Sequence, residues 1–135
     1  MSTRFLLDTN IVSHLVRSPR GVAAKRVAEI GEQHICTSVI VAAELRYGAA
    51  KKGSLRLTTQ LDLVLAALDV LPLDAPADRI YGDLRTTLER RGCLIGPNDL
   101  LLASQALALG CTLVTDNTEE FARVEGLPLD NWIRG

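Results

Sequence analysis

The sequence predicts an α/β protein built on a central parallel sheet of four to five strands flanked by helices on both faces. Short apolar runs alternate with longer segments of helical periodicity, which is the pattern of strand–helix–strand crossovers. The two clearest runs, Phe5-Leu6-Leu7 and Thr112-Leu113-Val114-Thr115, each end at an aspartate followed by turn-forming residues. With 135 residues and 47% hydrophobic content the chain has material for one sizeable core, and a single domain over residues 1–135 is expected.

After the first run, Asp8-Thr9-Asn10 supplies cap chemistry for a helix through Ile11, Leu15 and Val16. Gly21 to Ile30 has helical spacing at Val22, Ala23, Val27 and Ile30 and reads as the second arm of a helical hairpin. His34 to Thr37 is the second strand. Ser38 caps a helix in which Ile40, Val41, Leu45 and Gly48 share a face, Gly53-Ser54 ends it, and another helix spans Leu55 to Leu68. Val70 to Leu73 is a short peripheral strand. Pro76 opens a helix through Ile80, Leu84 and Leu88 that stops at Gly92, and Gly96-Pro97 opens one that Gly110 closes. Pro128 to Trp132 adds a last strand.

A formal net charge of -1 removes whole-domain basicity as an argument for nucleic-acid binding, so any phosphate contact must be local. Arg17, Arg20, Lys25, Arg26, Arg46, Lys51, Lys52, Arg56, Arg85, Arg90 and Arg91 read as solvated helix faces. Cys36, Cys93 and Cys111 are dispersed, odd in number and flanked by apolar residues, the signature of buried thiols in a reducing compartment. No signal-peptide order and no unbroken membrane-length run is present, which predicts a cytoplasmic protein.

The informative residues are Asp8, Glu44, Asp99 and Asp116, because each sits where the local pattern calls for burial. Asp8 and Asp116 end strands, and in open parallel sheets ligands bind outside the carboxyl ends of strands. Glu44 follows Ile40 by four residues and lies on or beside its helix's apolar stripe, and Asp99 aligns with Leu102, Ala103 and Ala106. A core-facing carboxylate is costly unless paired, protonated or metal-bound. Clustered acids without a cation are expected to share a proton, and an all-oxygen set suits Mg²⁺ or Mn²⁺ better than zinc or copper. Taken singly, Asp8 and Asp116 can act as helix caps and Asp99 can complement a helix dipole; Glu44 gains from neither effect. His14 and His34 stand apart from the acids and read as structural, and Tyr47, Tyr81 and Trp132 read as core or interface residues rather than base-stacking platforms.

Leu7-Asp8-Thr9-Asn10, Ala43-Glu44-Leu45 with Tyr47-Gly48, Gly96-Pro97-Asn98-Asp99, and Leu113-Val114-Thr115-Asp116-Asn117 with Glu120-Phe121 resemble PIN-domain nucleases, in matching order and over nearly the whole chain. The subgroup they resemble is the VapC and FitB toxins. The resemblance implies a PIN fold whose acidic pocket holds one or two divalent cations and hydrolyses phosphodiester bonds in RNA, with a structured tRNA as the guess for substrate. It implies Asp8 and Asp99 as direct ligands of Mg²⁺, Glu44 as a ligand through water or an orienter of the attacking water, and Asp116 as the fourth acid, at a position where related proteins often carry Asn. Thr9, Asn10, Thr115 and Asn117 are the residues expected to hold the carboxylates in place, and Ser38 is explained by capping alone. It further implies a homodimer neutralised by a small VapB-type antitoxin that covers the groove, places an Arg against the acids and supplies the binding to operator DNA.

Two other readings stand beside this one. A catalytically silent acidic pocket would serve only as a docking site for an Arg-bearing antitoxin peptide. A metal-dependent phosphatase using Asp8 as nucleophile would want a second Asp two residues on, where this chain has Asn10.

Overall fold

In the computed structural model, which describes residues 4–134, the first apolar run becomes β1 (Phe5–Leu7) and its aspartate becomes the cap of α1 (Thr9–Arg17). The chain continues through α2 (Val22–Ile30), β2 (Ile35–Ser38), α3 (Val39–Lys52), α4 (Leu55–Ala67), β3 (Asp69–Leu71), α5 (Ala77–Arg90), α6 (Pro97–Leu109), β4 (Thr112–Val114), α7 (Thr118–Phe121) and β5 (Leu129–Asp130). The five strands form one sheet in the order β3-β2-β1-β4-β5, and every neighbouring pair is parallel. Phe5 stands opposite Ile35 on one side and Thr112 on the other.

Strand order reverses at β1. The chain leaves β1 through α1 and α2 toward β2 and β3, then crosses back over α5 and α6 to enter β4 on the opposite side. With crossovers of one hand, these two directions place helices on opposite faces of the sheet. Burial agrees: successive strand residues point to opposite faces, and Leu6 with Leu7 and Leu113 with Val114 are all 0% exposed. Among the described residues no helix is long and apolar enough to cross a membrane.

The expected punctuation recurs with small shifts. Ser38 caps α3 by accepting from Ile40 N at 3.0 Å, while Gly53 and Gly110 close α3 and α6 in the left-handed region, at φ 64° and 67°. The second strand begins at Ile35 rather than His34, because Glu32–His34 form a single 3-10 turn after Gly31. The peripheral strand covers Asp69–Leu71 and stops short of Leu73; the buried Gln105 donates from Nε2 to the carbonyls of Leu71 and Pro72 as the strand ends. The last strand is only Leu129–Asp130, since Asn131 Oδ1 accepts from Ile133 N and Arg134 N and turns the chain out of the sheet.

Trp132 is core, 4% exposed and 5.4 Å from the Phe5 ring, whereas Tyr47, expected to be core or interface, is not core: it is 67% exposed beside Lys51. Cys36 and Cys111 are buried free thiols and Cys93 is half-buried.

Leu6 lies on the central strand with both faces of the sheet covered, so truncation leaves a cavity that its neighbours cannot fill. Leu6→Ala should lower unfolding free energy by about 2–5 kcal/mol in urea denaturation.

Candidate active site

Asp8 leaves β1 at the point where strand order reverses, between the carboxyl ends of β1 and β4. As the cap of α1 it accepts from Thr9 N at 2.7 Å on Oδ1. Thr115, just past β4, donates from Oγ1 to Oδ2 at 2.8 Å, and Asn10 Nδ2 adds a longer bond of 3.3 Å to the same oxygen. The residue is 4% exposed. Burial pushes its pKa up and the charge of Glu44 adds to that push; the bonds from Thr115, Thr9 and Asn10 oppose it without reversing it.

Thr9 joins two acids. Its N–H serves Asp8, and its Oγ1 donates to Glu44 Oε1 at 3.0 Å, which brings α3 to the rim of the sheet. Asp99 arrives on the first turn of α6, after Gly96-Pro97 has started that helix. Gly96 lies against both acids: its Cα position sets an ordinary van der Waals separation, a Cβ there standing 3.7 Å from Asp99 Oδ2 and 3.8 Å from Glu120 Oε1.

Glu120, on the one-turn α7, was not among the residues expected to carry the site. Its Oε1 accepts from Gly96 N at 3.0 Å, and Asn117 Nδ2 donates to its Oε2. Burial, together with the charges of Asp8, Glu120 and Glu44, raises the Asp99 pKa to about 7. Burial also pushes Glu120 up, but the Gly96 and Asn117 bonds, the Asp99 contact and Arg123 bring it below its ordinary value. The two shifts run in opposite directions, so Asp99 is the more readily protonated of the pair and Glu120 the more readily ionised.

The structure thus brings Asp8, Glu44 and Asp99 to one rim and adds Glu120. It engages Asp116 differently: Asn131 Nδ2 donates to Oδ1 at 3.1 Å, and Arg134 approaches through Nε at 2.8 Å and Nη2 at 3.1 Å. Asn10 Oδ1 accepts from Asp116 N at 2.9 Å, so Asn10 spans the interval between the two aspartates. Of the residues expected to hold carboxylates, Thr9, Asn10 and Thr115 contact Asp8, whereas Asn117 contacts Glu120. The expectation that all four acids are buried needs correction. Only Asp8 is; Glu44, Asp99 and Asp116 are half-buried.

A hard divalent cation fits the donor chemistry here, which is oxygen throughout and whose Asp99 carboxyl is pushed up to about 7 by burial and the neighbouring acids. Among the described residues no three His, Cys, Asp or Glu groups already stand at metal-holding spacing, so the carboxylates would draw in around such an ion. Several basic residues are spent in surface pairs, Arg26 with Glu29, Arg46 with Asp62, Arg85 with Glu89 and Arg91 with Glu125. Arg17 and Lys52 instead border an apolar groove between α1, α3 and α4 that reaches Glu44. His14 and His34 make no contact with the acid cluster among the described hydrogen bonds.

Fold and site together define a doubly wound α/β protein whose switch point is lined by carboxylates. The family model for the PIN domain matches residues 5–127, and the chain belongs to the PIN-domain family. It is 39% identical over 130 residues to a Rickettsia felis protein named Ribonuclease VapC2, covering 95% of this chain and 97% of the relative. It is 34% identical over 130 residues to the tRNA(fMet)-specific endonuclease VapC of Shigella flexneri, covering 96% and 98%. Among solved structures, that of VapBC2 from Rickettsia felis bound to a DNA fragment from their promoter is similar with a TM-score of 0.89 at 38% identity, over 96% of this chain and 99% of that one.

The Asp99 shift sets a pH dependence. A carboxyl whose folded pKa lies near 7 holds its proton more tightly folded than unfolded, so its contribution favours folding at low pH and is lost as pH rises from about 4 to about 7. Without divalent cations, Asp99→Asn should therefore melt progressively higher than the unsubstituted chain over that interval. A melting-temperature difference that stays flat with pH would contradict the assignment.

Proposed function

We propose that this chain is a divalent-cation-dependent endoribonuclease, the toxin of a toxin–antitoxin pair, working in the cytoplasm as a single PIN domain and neutralised by a small VapB-type antitoxin. The observation that carries this reading is the convergence of Asp8, Glu44 and Asp99 at the switch point, beside Glu120, where burial and the neighbouring carboxylates raise the Asp99 pKa to about 7. Relatives named as ribonuclease and as tRNA(fMet)-specific endonuclease support RNA, with tRNA as the favoured class.

Asp8 and Asp99 would hold Mg²⁺ or Mn²⁺, with Glu44 and Glu120 at its border. When bound, the cation lowers the pKa of water and neutralises charge on the scissile phosphate. The chain's own residues do the positioning. Thr9 sets the relative orientation of Asp8 and Glu44, Thr115 and Asn10 fix the outer oxygen of Asp8, and Gly96 N with Asn117 fixes Glu120. Glu44 has Oε1 tied to Thr9 and keeps Oε2 free of bonds among the described residues, which suits it to orient water and take up a proton.

The solved VapBC2 structure, bound to a promoter DNA fragment, supports a VapB-type antitoxin partner, and the DNA contact is proposed to be the antitoxin's. An antitoxin guanidinium would bind these carboxylates in two-pronged fashion and exclude the cation, and the toxin is proposed to act as a homodimer.

With Mg²⁺ the purified chain should cleave single-stranded RNA, and EDTA or Asp8→Asn should each reduce cleavage by more than about a hundredfold. Equal cleavage under all three conditions would reject the metal mechanism. Expressed alone the chain should arrest growth, and coexpression with its cognate antitoxin should restore it. A chain that leaves RNA and growth untouched yet binds an Arg-bearing antitoxin tail would be a docking module instead.

A further inference from the structure

Among the described residues Asp116 differs from Asp8 and Asp99 in that its charge is already paired with a guanidinium. Both its oxygens are taken, Oδ1 by Asn131 and Arg134 Nε and Oδ2 by Arg134 Nη2. The arginine itself is held by a built turn. Trp132 is buried against Phe5 and donates from Nε1 to Asp130 Oδ2 at 3.0 Å, while Asn131 accepts from the backbone of Ile133 and Arg134 and donates to Asp116. The result is a guanidinium fixed along one edge by Asp116, with its side chain 74% exposed. Two of its N–H groups face Asp116, and the other three remain for a second planar or tetrahedral anion.

From this geometry, and resting on the nuclease reading above, we infer that Arg134 is a substrate-binding residue that grips an RNA phosphate beside the acid cluster, and that Asp116 positions it rather than ligating the cation. An anionic strand approaching Asp8, Glu44, Asp99 and Glu120 needs positive charge that the net charge of -1 does not supply. Asn10 bridges from Asp8 to the backbone of Asp116, so the guanidinium is anchored one side chain away from the innermost acid. Arg134 lies beyond residues 5–127, the span of the family match.

The test uses the full chain and a labelled single-stranded RNA decamer of mixed sequence. Steady-state cleavage is followed with Mg²⁺, RNA binding is followed by anisotropy in an Asp99→Asn background, and Mn²⁺ binding is followed by electron paramagnetic resonance. Arg134→Ala should lower kcat/KM roughly tenfold, carried by KM, and should reduce the slope of log affinity against log salt by about 0.7, the value of one lost single-strand phosphate contact. Asp116→Asn should reproduce that pattern while retaining Mn²⁺ binding that Asp8→Asn loses. The double variant should be no worse than either single one, and Arg134→Lys should recover part of the affinity. Unchanged KM and salt slope in Arg134→Ala, or loss of Mn²⁺ binding in Asp116→Asn equal to that in Asp8→Asn, would overturn the inference. RNA binding that depends on Arg134 in a chain that never cleaves would sink the nuclease reading and leave the phosphate grip standing; no RNA binding at all would remove both.

Discussion

A carboxylate buried where β1, β4 and α1 meet is the constraint from which the rest of the site follows. Asp8 is 4% exposed, and its charge is tolerable only because a helix N-terminus, a threonine hydroxyl and an asparagine amide converge on it. Those same partners distribute its influence. Thr9 passes it to Glu44 and Asn10 to Asp116, while its field contributes to keeping Asp99 protonated. Remove the Asp8 carboxylate and each of these residues loses the reference against which it is placed.

That economy depends on the order of strands. Only where connections depart in opposite directions does a parallel sheet leave a crevice at its carboxyl rim, and β1 and β4 are the strands that flank it. Asp8 and Thr115 bring their groups there by ending strands; Asp99 and Glu44 reach it from helices whose starts are set by Gly96-Pro97 and Ser38. The acid cluster is thus a product of topology and capping together.

This explains which parts were readable from the residues alone. Strand ends, caps and glycine stops are local events, so Asp8, Ser38, Gly53, Pro97 and Gly110 could be placed from their neighbours, and the strand–helix alternation gave the layered sheet. Glu120 was passed over as a site residue because α7 is a single turn, too short to show periodicity, and its role arises from a contact with Gly96 that is 24 residues away. The Arg134 pairing is equally silent in sequence, since it depends on Asn131 bending the chain back toward Asp116. Likewise Cys36 and Cys111 read as separate thiols, yet they are close enough that a hydrogen bond from Cys36 draws Cys111 down to about 7, with Arg4 aiding.

The bond from Thr115 to Asp8 spans 107 residues, the longest reach of any side-chain contact at the site. Ribosomes deliver Asp8 well before Thr115, and nonlocal strand pairing closes late. A nascent chain halted before β4 consequently holds Asp8 without its threonine clamp and without Glu120, so the fold leaves the acid cluster incomplete until β4 and α7 have been made. For a protein proposed to be poisonous to its maker, that lag keeps the site unassembled while β1, β2 and β3 are already made.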